Sequence, residues 1–115
     1  MQDEEQDILS VTTTVGSLAD ARALAREIIS QRLAACVQVE EGVMSFFRWK
    51  GEPCEESEVR LVIKTVPAAE GLLQALFARR HPYEVPQFLA VKMRASEAYA
   101  RWARSETLTQ PGPGT

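Results

Sequence analysis

The chain of 115 residues has the length of one domain and is long enough to bury a real core. Hydrophobic residues make up 45% and charged residues 25%, an ordinary globular balance. A net charge of −3, with Arg79-Arg80 as the only Arg doublet, excludes the clustered basic face that nucleic acid requires. No apolar run approaches the roughly 18 residues of a membrane span either.

The acidic start, Met1 to Asp7, lacks the basic and apolar regions of a signal peptide, so a cytoplasmic protein is expected. Residues 1–7 and 109–115 read as tails around a domain spanning 8–108, the second ending in Pro-Gly-Pro-Gly-Thr. Ile8 to Val15 is short and β-branched, which predicts a strand. Ser17 is a good N-cap. Ala21, Leu24, Ala25, Ile28 and Ile29 follow at helical spacing, so a helix should run to about Arg32. Ala35 to Trp49 alternates as a long strand with a bulge at Glu41-Gly42, and Lys50-Gly51 makes a turn that Glu52 and Pro53 extend. A second alternating run covers Glu58 to Val66. Pro67 then starts a helix that buries Leu72, Leu73, Leu76 and Phe77. Gln87 to Met93 is a further strand. Ser96 and Glu97 open a last helix with Tyr99, Trp102 and Ala103 on one face.

The order β-α-β-β-α-β plus a C-terminal helix predicts an α+β, ferredoxin-like sandwich: both helices on one face of a mainly antiparallel sheet, the other face open. After Gly42, both faces of the central hairpin carry large apolar groups. Val43, Phe47 and Trp49 point one way, Met44 and Phe46 the other. One layer of helices covers only one face, so a symmetric homo-oligomer is expected to cover the second. The competing expectation is that the C-terminal helix folds back over the hairpin. Cys54 should pair near Phe47 while Cys36 lies at the far end of the strand, too far for a disulfide.

On the second hairpin strand, Val59, Leu61 and Ile63 should face the helices. Glu58, Arg60 and Lys64 should then lie on the open face, solvated or paired across an interface. His81, the one histidine, follows a helix that Pro82 ends, where the dipole favours the imidazolium. One reading makes it a capping imidazole in a rigid connection. Another makes it an acid/base with Lys64 as electrophile, although no nucleophile or cofactor motif accompanies it. The turn from Thr12 to Ser17 could hold an anion, as could many strand-to-helix turns.

Several stretches in order resemble the CutA divalent-cation tolerance proteins. They are Arg32-Leu33-Ala34-Ala35-Cys36-Val37, Ser45-Phe46-Phe47-Arg48-Trp49-Lys50-Gly51, Glu58 with Ile63-Lys64-Thr65, and His81-Pro82-Tyr83-Glu84-Val85-Pro86. The resemblance spans about residues 8 to 104, with Tyr99 and Trp102 fitting its close. It implies a homotrimer like the PII signalling proteins, a part in tolerance of copper and other divalent cations, and no enzymatic activity. Its inter-subunit cleft would be lined by Trp49, Glu58, Lys64, His81 and Tyr83, taking a metal ion or a small ligand. The alternative is a PII-like signalling or scaffold trimer without metal. Metal-binding bacterial members carry a Cys on the first strand and a His doublet before the Pro-Tyr. Here Thr13 and Arg80 stand there, which leaves His81 as the one candidate ligand for Cu²⁺ or another divalent cation, and Phe47 replaces a common Tyr.

Overall fold

The computed structural model describes residues 7–108, so the expected tails lie outside the described residues, except for Asp7. Asp7 is already the first residue of strand β1 (Asp7–Val15), where it pairs opposite Arg94. Helix α1 (Leu18–Ser30) starts on Ser17, whose hydroxyl accepts the Asp20 N–H at 3.1 Å, and buries Ala21, Leu24 and Ile28. It ends two residues before the expected Arg32, because Arg32 turns the chain in the left-handed region at φ 59°.

Strand β2 (Cys36–Trp49) carries the expected bulge. Its register with β3 (Glu52–Thr65) shifts between Glu40 and Val43, with Gly42 at φ 78°. Lys50 and Gly51 both take positive φ, 51° and 84°, as a two-residue hairpin turn requires. Pairing therefore resumes at once, and Glu52 and Pro53 belong to β3 rather than to a longer loop. Pro53 is tolerated because β1 pairs with β3 only from Val59 to Thr65, so this arm has a free edge. A 3₁₀ turn (Pro67–Ala69) precedes α2 (Glu70–Arg80), which buries Leu73, Leu76 and Phe77 but leaves Leu72 only half-buried. Strand β4 (Leu89–Arg94) and α3 (Glu97–Glu106, N-capped by Ser96) complete the chain.

The sheet order is β2-β3-β1-β4 with every pair antiparallel, the ferredoxin-like arrangement. Leu9, Val11, Val15, Val59, Leu61 and Ile63 meet Leu24, Ile28, Leu73, Leu76 and Phe77 in the main core. Each fully buried Leu, Ile or Phe there is worth about 1.5–3 kcal/mol of transfer free energy. A smaller cluster on the opposite side, built on Ile8, Val66, Ala69, Ala100 and Ala103, holds α3. Ala100 and Ala103 form the buried side of α3, whereas Trp102, its ring centroid 5.4 Å from that of Tyr99, is 42% exposed.

Helix α3 lies against β1 and β3 and does not cover the hairpin. Met44, Phe46, Phe47 and Trp49 all remain exposed, Phe46 at 69%, which removes the alternative in which the C-terminal helix folds over them. The projecting arms stretch the molecule to 48 × 28 × 25 Å. The radius of gyration is 15.2 Å, against about 13 Å for a compact chain of this length.

Candidate functional site

Helix α2 stops at His81 because the proline that follows disfavours helical backbone there. His81 is extended (φ −71°, ψ 134°), although its N–H still donates to Phe77 O. The ring then lies between Phe77 and Tyr83, with centroids 5.3 Å from each. Its Nδ1 accepts the backbone N–H of Tyr83 at 3.2 Å, and Nε2 is 2.8 Å from the hydroxyl of Thr13. A nitrogen that accepts a backbone N–H carries no proton, so the network assigns the neutral tautomer with Nε2–H donating to Thr13 Oγ1.

Burial lowers the His81 pKa below 6.5, outweighing a backbone hydrogen bond at Thr14 and the charge of Asp20, which raise it. The expectation that the helix dipole favours the cation is corrected: loss of water around the half-buried ring outweighs it. The same tautomer argues against chemistry at Thr13. Activating that hydroxyl would need Nε2 as acceptor, and the hydroxyl is fully buried on the helix side of β1.

Two residues on, the Tyr83 phenol passes Gly16, where an added Cβ would lie 3.6 Å from its Oη, and donates to Glu58 Oε2 at 2.6 Å. Its pKa is held well above the usual tyrosine range, first by burial and then by the hydrogen bond and charge of Glu58. Glu58 is only 7% exposed. It was expected on the open face, solvated or paired across an interface; its parity matches that of Lys64, but its partner lies within the chain. It sits one residue beyond the last β1–β3 pair, Val15–Val59, and accepts from Tyr83 there.

The other two expected lining residues are elsewhere in the chain. Trp49 pairs with Glu52 at the hairpin tip, with the Lys50 ammonium 5.7 Å from its ring centroid. Glu52 and Glu58 are six residues apart on β3, or about 20 Å. Lys64 is six residues away in the other direction. It stands opposite Ser10 and Cys36 and donates to Gln38 Oε1 at 3.1 Å. Strand parity puts it on the open face, while His81 meets helix-side Thr13, so one chain cannot pair them as acid/base and electrophile.

Arg60, Arg80 and Ser17 have structural partners. Arg60 reaches Glu40 at 3.4 Å, Arg80 reaches Glu27 at 3.2 Å, and Ser17 spends its hydroxyl on the α1 cap. Cys36 and Cys54 are free; they stand opposite Lys64 and Phe47, at opposite ends of the hairpin. Among the described residues no group of three or more His, Cys, Asp or Glu is placed to hold a metal ion. Both nitrogens of His81 are engaged within the chain, so these residues do not fit a copper centre.

Sequence reasoning named Thr13 as a departure from a ligand pattern and within a turn that could hold an anion, and missed its hydrogen bond. The available signal was its parity: it shares the core-facing side of β1 with Leu9, Val11 and Val15, and a hydroxyl there needs a partner.

Comparison with known proteins agrees with this architecture. The divalent-cation tolerance protein CutA of Thermus thermophilus is 37% identical over 98 residues, 84% of this chain and 95% of that protein. Its solved structure superposes with a TM-score of 0.83 at 36% identity, covering 87% of this chain and 98% of that one. The structure of CutA1 from Oryza sativa gives 0.86 at 30% identity, covering 90% and 96%. Mouse protein CutA is 33% identical over 96 residues, which is 83% of this chain but only 54% of the mouse protein. The family model described as CutA1 divalent ion tolerance protein matches residues 9–106, and the chain belongs to that family.

Proposed function

We propose that this chain works as a non-enzymatic homotrimer in the response to divalent cations such as copper, with small-ligand clefts between its subunits. One observation carries the assembly. The hairpin exposes Met44, Phe46, Phe47 and Trp49, and the open face of β4 exposes Leu89, Val91 and Met93. So much apolar surface on a small domain calls for burial against further copies. Trp49 and Lys64, separated from the Glu58–Tyr83–His81 cluster within one chain, would complete its cleft from neighbouring copies. The names of the relatives support the tolerance role. With both His81 nitrogens engaged, that role does not rest on copper held by His81.

Sedimentation equilibrium should return about three times the 12.8 kDa of one chain. Phe46→Glu should weaken assembly at least about tenfold, as expected for a charge at an apolar interface. A stable monomer for the natural chain would overturn the reading. Calorimetric titration with Cu²⁺ and Zn²⁺ should give the same isotherm for the natural chain and His81→Ala.

A further inference from the structure

We propose that the His81–Tyr83 segment is a proton-operated latch, in which protonation of His81 releases Tyr83 from Glu58 and loosens the root of the β2–β3 hairpin. The geometry sets the mechanism. Neutral His81 holds the segment at two points, accepting the Tyr83 N–H at Nδ1 (3.2 Å) and bonding Thr13 Oγ1 through Nε2 (2.8 Å). A proton added at Nδ1 sets N–H against N–H, so a hydrogen bond becomes a donor–donor contact. Tyr83 must then move, and the phenol that moves with it is the donor held 2.6 Å from the 7%-exposed Glu58 carboxylate. A buried carboxylate that loses this donor draws in water, and Glu58 lies opposite Val43, where the paired arms resume beyond the bulge.

The charged groups around His81 favour this operation. Asp20 on α1 attracts the proton; Glu58 and Glu56 on β3 bear on Tyr83. On its own helix Arg80 is held by Glu27 and Arg79 donates to Ala75 O; β1 presents the Thr13 hydroxyl and a backbone hydrogen bond at Thr14. The latch stands independently of any ligand between subunits.

The test is NMR on the full chain between pH 8 and pH 5, following His81 Cε1–H, the Tyr83 amide and the Glu58 carboxyl carbon. The Tyr83 amide protection factor should fall about tenfold with the midpoint of His81 itself, and the Glu58 signal should shift in step. In His81→Gln, which keeps a donor and an acceptor but does not titrate, both should stay flat. A Tyr83 amide that keeps its protection while His81 titrates would overturn the latch. That wild-type comparison decides even if the variant fails to fold.

Discussion

Tyr83 and Glu58, 25 residues apart, are joined by a 2.6 Å hydrogen bond that ties the loop after α2 to β3 just where β1 ends. It places a neutral phenol on a buried carboxylate.

Tyr83→Phe removes the donor and leaves that carboxylate unsatisfied, which should cost about 1.5–3 kcal/mol. Urea denaturation should show a lower midpoint with an unchanged slope. The pH dependence has a definite sign. The folded pKa of Tyr83 lies above its unfolded value near 10, so the unfolded chain loses this proton first. The contribution of Tyr83 is therefore present below about pH 10 and lost as pH rises through the folded value. Comparing denaturation at pH 8 and pH 11, Tyr83→Phe should lose less stability than the natural chain.

Gly42 takes φ 78° at the bulge, and an added Cβ would meet nothing within 4 Å. Gly42→Ala should therefore cost backbone strain alone, about 1–2 kcal/mol, and leave the fold intact. A thermal melt together with an unchanged amide spectrum for Ser57 and Glu58 checks this. A collapse of the hairpin resonances would show that the bulge needs more than a permissive residue.

Arg32 holds the end of α3. Its Nη2 and Nε donate to the Ser105 and Glu106 carbonyls at 2.9 and 3.3 Å, and its own carbonyl accepts Leu108 N–H. Arg32→Ala should free the last turn at a cost of about 1 kcal/mol, because the hydrogen bonds are solvent-exposed. Limited proteolysis should then cut near Ser105 faster than in the natural chain. Equal cleavage rates would mean that the Ala100–Ala103 packing alone holds the helix.

Much of the fold was legible in the residues because it depends on local periodicity and special backbone positions. Ser17 and Ser96 cap helices, Gly42 marks the bulge, and Lys50-Gly51 turns the hairpin. The hairpin register that pairs Phe47 with Cys54 follows from that turn alone. Misreadings came where a neighbour decides the outcome. Pro53 joins a strand because its arm lacks a β1 neighbour, and Glu58 finds its partner within the chain because Tyr83 reaches it.

By itself, then, the sequence determined the element order, the two-faced hairpin and the family. His81-Pro82-Tyr83 was readable as a helix stop. Only the tertiary structure decided its chemistry. Thr13 is 68 residues from His81, and Glu58 is 25 from Tyr83. A tautomer depends on which groups meet each ring nitrogen, and the burial of a carboxylate on what closes over it. Both arise from contacts between distant segments, which no local pattern encodes.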